Sequence, residues 1–319
     1  YGAASAIFEY DPANNIFTSL ASFSANTGRG VNGSLIEASD GNLYGLANFG
    51  GNNNMGTIFR YTPATNTILS VFHFSESTGS FPYGDLVEVS PGRLFGMTSE
   101  GGKNSLGVIF EFDLNSGQYT KRFDFVTESG AYPRGSLTIA QNGKLYGLTS
   151  EGGIFEGGTL FEFNPANNTF TKKIDFDGMA FYPTGNLTLH NDGLLYGMTS
   201  HGIYFPNASG SIFRFSPNSD ELSILYNFTT QEGGWWPWGS LTVSQTGKIY
   251  GTTPMGGLDN SGVIFEYNLN TNQFYKRYDF QYASQGAYPY RDLTLYNGKV
   301  YGVTGHGGIN GFGTLFEID

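Results

Sequence analysis

Short apolar–polar runs follow one another along the whole chain, separated by Gly, Asn and Pro turns, and no segment carries a convincing helical period. In the third copy of the pattern, Leu137-Thr138-Ile139-Ala140 predicts a first strand and Lys144 to Thr149 a second. Gly158 to Phe163 predicts a third, with Leu160, Phe161 and Phe163 apolar around Glu162, and Phe170 to Phe176 a fourth. Leu241-Thr242-Val243-Ser244 repeats the first strand two copies later. The turns Gln141-Asn142-Gly143 and Asn164-Pro165-Ala166-Asn167-Asn168 have the chemistry of hairpin connections.

The runs recur. Aligned on the glycine of Leu-Tyr-Gly and its variants, the copies centre on Gly45, Gly96, Gly147, Gly197, Gly251 and Gly302, with spacings of 51, 51, 50, 54 and 51 residues. Four antiparallel strands per repeat, six times over, predict an all-β fold: a single six-bladed β-propeller over residues 1–319. A propeller suppresses exposed sheet edges, whereas a solenoid needs shorter, regular coils. The chain opens with a third-type strand (Ala4 to Tyr10) and a fourth-type strand (Ile16 to Phe23), and closes with a first (Leu293), a second (Val300) and a third (Leu315-Phe316). Closure by a composite blade from both termini is expected. One third-type strand is left over, as a fifth strand at a blade edge or as a pairing surface for another chain or segment.

Leu145-Tyr146-Gly147-Leu148-Thr149, Glu151-Gly152-Gly153 and Gly158-Thr159-Leu160-Phe161 resemble the GloVer-type tandem repeat of bacterial proteins, across essentially the whole chain. The resemblance implies a propeller-like repeat and a secreted or cell-surface location, since such proteins are typically exported, often with a C-terminal sorting region that this chain lacks. It implies no particular activity. The kelch repeat has a similar period and a Gly-Gly pair, but its following Tyr and Trp positions are missing.

Composition agrees with many short strands and tight turns: 47 Gly and only 13% charged residues, with 28 Phe and 21 Tyr for the core. The net charge of −11, without a basic cluster, disfavours nucleic acid. No stretch is apolar for long enough to insert in a membrane as a helix. Cysteine is absent, which excludes disulfides, thiolate metal sites and a cysteine nucleophile. The start at Tyr1 suggests a trimmed precursor or a fragment. There is no G-x-S-x-G elbow, H-E-x-x-H or P-loop, and no cofactor is implied.

Candidate chemistry belongs to the near face, where fourth-to-first and second-to-third loops emerge. The former repeat an aromatic–Pro pair: Phe81-Pro82, Tyr132-Pro133, Tyr182-Pro183, Trp236-Pro237 and Tyr288-Pro289. That pair is expected to be structural. The residue after it varies (Tyr83, Arg134, Thr184, Trp238, Tyr290; Asn32 in the first copy) and is the better candidate for ligand contact. All three tryptophans, Trp235, Trp236 and Trp238, fall in one loop and suggest a stacking surface for sugar rings. The second-to-third loops add Phe49, Glu100, Glu151, His201, Met255 and His306, whose carboxylates and imidazoles suit acid–base or metal chemistry or are simply solvated. His73 and His190 sit in strand patterns and read as structural.

The leading expectation is an exported, non-enzymatic propeller that binds a glycan or a protein at this face, or serves as a structural module. The alternatives are a carbohydrate-active enzyme, a lyase or hydrolase, and a subunit of a surface assembly.

Overall fold

The computed structural model describes residues 6–177, 182–200, 210–229, 233–244 and 246–318. Its fold class is the expected one, a six-bladed β-propeller of mainly four-stranded antiparallel sheets. The chain divides into two compact units, one of residues 1–137 and 164–170, the other of residues 138–163 and 171–319.

The first unit opens with a hairpin of β1 (Ala6–Asp11) and β2 (Ile16–Ser22). Two complete blades follow. One is β3 (Ile36–Glu37), β4 (Leu43–Ala47), β5 (Thr57–Thr62) and β6 (Thr67–His73). The other is β7 (Val87–Ser90), β8 (Arg93–Thr98), β9 (Val108–Asp113) and β10 (Gln118–Asp124). The second unit holds most of the blade of β11 (Thr138–Ile139), β12 (Leu145–Thr149), β13 (Thr159–Asn164) and β14 (Thr169–Asp175). Next come β15 (Thr188–Leu189), β16 (Leu195–Thr199), β17 (Ser211–Ser216) and β18 (Glu221–Asn227). A further blade comprises β19 (Thr242–Val243), β20 (Lys248–Thr253), β21 (Val263–Asn268) and β22 (Gln273–Asp279). The unit ends with a short helix α1 (Tyr282–Gln285) and the three-stranded sheet β23 (Thr294–Tyr296), β24 (Lys299–Val303) and β25 (Leu315–Ile318).

The strand types match the sequence reading. The hairpin supplies a third and a fourth type and the last sheet a first, second and third, so among the described residues the third type occurs seven times. Hydrogen bonding joins β1 to β2 and, separately, β23, β24 and β25 to one another.

The consensus has a direct packing cause. Each repeat glycine lies opposite the phenylalanine of the adjacent third strand: Gly45 and Phe59, Gly96 and Phe110, Gly147 and Phe161, Gly197 and Phe213, Gly251 and Phe265, Gly302 and Phe316. A Cβ at Gly96 would stand 2.6 Å from the Phe110 ring, and one at Gly45 2.5 Å from Phe59. The ring fills the space that any side chain would take. In several copies the residue before the phenylalanine packs in a shared apolar cluster with the next blade's phenylalanine: Ile58 with Phe110, Ile212 with Phe265, Ile264 with Phe316. At the blade rims, parallel rings clamp neighbours together, Phe72 on Tyr119 at 4.1 Å and Tyr226 on Phe274 at 4.0 Å.

A buried carboxylate in three third strands is met by cations, in two of them across a bulge. The β9–β10 register skips Arg122, whose guanidinium turns back to Glu111 at 2.6 Å, with Arg93 on the other oxygen at 2.8 Å. Arg277 is skipped likewise and meets Glu266, and Lys173 with Lys144 meets Glu162. Where the third strand carries Arg60 or Arg214 instead, the skipped residue is apolar, Val71 or Leu225. Burial opposes charge on Glu111 and Glu162, but the hydrogen bonds and cations around them outweigh it and hold both carboxyls below the ordinary glutamate value.

Candidate functional site

The fourth-to-first loops are built around a strained residue. Phe81, Tyr132, Tyr182, Trp236 and Tyr288 all adopt left-handed backbone, with φ between 53° and 60°. The first copy places Gly30 there, at φ 67°. A bulky residue keeps this conformation only where its surroundings over-determine it. Here they do. The Phe81 N–H donates to the Met55 carbonyl at 2.9 Å, and its own carbonyl accepts from the Ser99 hydroxyl at 2.9 Å. Tyr182 is held by the Gly157 carbonyl and the Ser200 hydroxyl, and Tyr288 by the Ser261 carbonyl and the Gly305 N–H. The following prolines press on the glycine before the preceding third strand, so that a Cβ at Gly56 would lie 2.7 Å from Pro82 Cδ and one at Gly262 2.7 Å from Pro289 Cδ. The aromatic–Pro pair thus fastens successive blades. Paired backbone bridges, Ser80 with Glu100, Trp235 with Met255 and Ala287 with His306, fix the two kinds of loop side by side within a blade.

Side chains on this frame differ between the units. In the first, the Arg134 guanidinium lies 6.0 Å over the Tyr83 ring. In the second, Trp238 faces Tyr290 at 5.5 Å and 31°, Tyr290 neighbours Tyr288 at 6.1 Å and 21°, and His306 meets Tyr288 edge-on at 5.7 Å. Tyr282, from α1, adds a fourth ring, 6.2 Å from Tyr288. The three tryptophans differ in exposure. Trp235 and Trp236 pack on one another at 4.6 Å, half-buried, while Trp238 is 46% exposed. Burial, with a smaller effect from Tyr288, raises the Tyr290 hydroxyl above its ordinary value, so it remains a hydrogen-bond donor at neutral pH.

Beneath these residues, neighbouring blade entrances within each unit are tied together. The Asp85 N–H donates to the Ser136 hydroxyl at 2.6 Å, and Asp85 accepts from the Ser34 N–H. In the second unit, the Asn186 N–H donates to the Ser240 hydroxyl at 2.8 Å and the Ser240 N–H to the Asp292 carboxylate at 2.6 Å. The residue before each of these side chains is glycine in five copies, because a Cβ at Gly33 would come within 2.5 Å of the Gly84 carbonyl. The sixth copy carries Arg291, and the approach of Gly239 to it is looser, at 3.0 Å.

The second-to-third loops share a cap. Asp124 accepts the Lys103 N–H at 2.7 Å, Asp175 the Ile154 N–H at 2.9 Å and Asp279 the Leu258 N–H at 3.2 Å. Glu100 is exposed and Glu151 partly so, and neither carboxylate makes a hydrogen bond or ion pair among the described residues. His201 lies outside the described residues, and His306 is exposed beside Tyr288. Among the described residues, no three His, Asp or Glu side chains gather closely enough to hold a metal ion. Sequence reasoning missed Tyr282 and the side chain of Tyr288 as parts of the cluster. The signal was present in the Tyr-rich last loop, Tyr282 to Tyr290, but only folding shows which rings share a side.

The repeat and its geometry agree with a sequence-profile match. The profile of the Gloeobacter/Verrucomicrobia repeat matches residues 1–209 and 181–319. This chain belongs to that family. No curated protein matches it. Among solved structures, this repeat protein is similar to an oligogalacturonate lyase from Vibrio parahaemolyticus, with 10% identity, a TM-score of 0.64, and coverage of 98% of this chain and 82% of that one. It is also similar to the GH74 enzyme of Niastella koreensis, with 16% identity, a TM-score of 0.69, and coverage of 98% of this chain but 49% of that one. TolB from Acinetobacter baumannii gives 12% identity, a TM-score of 0.51, and coverage of 86% and 60%. At these identities the likeness is one of fold: a propeller shared by carbohydrate-active enzymes and by TolB. No helix among the described residues is long and apolar enough to cross a membrane.

Proposed function

We propose that this repeat protein is an exported carbohydrate-recognition propeller whose ligand lies against the Trp238–Tyr290 pair. The observation that carries the reading is Trp238 itself. It is a large indole left 46% exposed, beside a second ring, on a loop whose backbone is fixed by its neighbours. Such a surface gives the C–H face of a pyranose an apolar contact, while phenol and indole edges reach sugar hydroxyls. Because the Trp235 N–H is bonded to the Met255 carbonyl at 3.0 Å and Trp236 is held in a left-handed turn, less backbone entropy is lost on binding than from an unrestrained loop. The net charge of −11 favours an uncharged glycan over a polyanion. A protein ligand would meet the same exposed rings.

The second reading is a glycan-cleaving enzyme, and the likeness to two carbohydrate-active enzymes supports it. Glu151 and His306 are then the side chains to examine in the second unit. Affinity electrophoresis through gels of soluble neutral polysaccharides, with release of reducing ends assayed in parallel, separates the two. Retardation without new chain ends supports recognition. Retardation with cleavage, lost in Glu151→Gln or His306→Ala, supports the enzyme. Unretarded migration in every polysaccharide contradicts both.

A further inference from the structure

Resting on the carbohydrate reading above, we propose that the ligand is an uncharged oligosaccharide of several consecutive sugars, laid along the strip formed by Trp238, Tyr290, Tyr288 and Tyr282. A site for one terminal sugar needs one ring and a tight polar pocket around it. The second unit presents instead a sequence of four rings, each 5.5 to 6.2 Å from the next, drawn from two successive fourth-to-first loops. That spacing is close to the length of one pyranose and its linkage. The ring planes turn by 31° and 21° along Trp238, Tyr290 and Tyr288 and by 69° at Tyr282, so a ligand along the strip would meet Tyr282 in a different orientation from the rings before it. The strip is accessible at both ends, with Trp238 46% and Tyr282 49% exposed, and half-buried between them. Accessible ends suit an internal stretch of a longer chain.

The chemistry of the strip is uncharged. Its side chains offer faces, an indole N–H and phenol hydroxyls, and the exposed His306 imidazole stands edge-on beside Tyr288 to reach sugar hydroxyls. Tyr282 lies in the four-residue helix α1, none of whose residues is buried; its carbonyl accepts the Gly308 N–H at 3.0 Å, and the residue is 49% exposed. Its position at the end of the strip is what a longer ligand would use.

The test is binding of the whole protein to cello- and xylo-oligosaccharides of one to six sugars, and to oligogalacturonates of the same lengths, by calorimetry. Wild type is expected to gain about two- to tenfold in affinity for each further ring engaged, reaching a plateau near the tetrasaccharide. Tyr282→Ala should abolish the last increment and weaken the longest oligosaccharides most, whereas Trp238→Ala should weaken every length. Equal affinity for mono- and hexasaccharide overturns the strip, and preference for the oligogalacturonates overturns its uncharged character. Absence of binding to any sugar, by a wild-type protein shown to be folded, overturns the carbohydrate reading itself.

Discussion

The loop pair Tyr83–Arg134 and the loop pair Trp238–Tyr290 stand on the same backbone and carry different chemistry. In both, the residue before proline is left-handed and bonded to its neighbours, and the variable side chain extends beyond it. The first unit pairs a cation with a ring; the second pairs two rings and continues into two more. The second-to-third loops differ in the same sense. Their tips carry Asn52, Asn53, Lys103 and Asn104 in the first unit, but exposed Ile154, Phe155, Leu258, Ile309 and Phe312 in the second. A repeat scaffold thus separates stability, which every copy must supply, from recognition, which a few copies can acquire without cost to the rest.

If that separation is real, scaffold substitutions should act on folding wherever they are placed. The largest effect is expected for Gly96→Val, which drives a side chain into the Phe110 ring. It should cost about 3 kcal/mol or more in urea unfolding, as Gly251→Val should in the other unit. Glu162→Ala is next. It leaves Lys173, Lys144 and the Tyr146 hydroxyl facing a lost carboxylate, and should cost about 2 kcal/mol.

The same cluster sets an acid dependence. The folded Glu111 and Glu162 carboxyls are held below the unfolded value of about 4.3, so their contribution is present above that pH and is lost as pH falls through the lowered folded value. Unfolding midpoints measured between pH 6 and pH 3 should fall less steeply for Glu162→Gln than for wild type. The smallest effect is expected for Arg134→Ala, an exposed residue whose loss should change stability by no more than about 0.5 kcal/mol.

The scaffold was legible in the sequence because packing forces it to recur. Gly147 faces Phe161, and four strand types return at a fixed spacing, so a two-residue periodicity and the turn residues suffice. The matching of Glu111 to Arg122 and of Arg214 to Leu225 was not legible. A bulge decides which residue of the fourth strand turns inward, and its position is a property of the pairing register. The tryptophan loop was half legible. Its composition marked it, but the separation of Trp238 from the packed pair Trp235–Trp236 follows from the left-handed turn at Trp236 and the proline after it. Tyr282 escaped notice because it belongs to no repeat motif; its place beside Tyr288 comes from the short helix that precedes the last aromatic–Pro pair.

The most direct test of recognition by the second unit is a side-by-side titration of wild type, Trp238→Ala and Arg134→Ala with a neutral oligosaccharide that the wild type binds. Both variants are first checked for unchanged urea midpoints. Trp238→Ala is expected to lose about tenfold or more in affinity while Arg134→Ala binds as wild type does. Binding that survives loss of Trp238, or falls equally in both variants, would contradict the assignment of the ligand to the Trp238–Tyr290 pair.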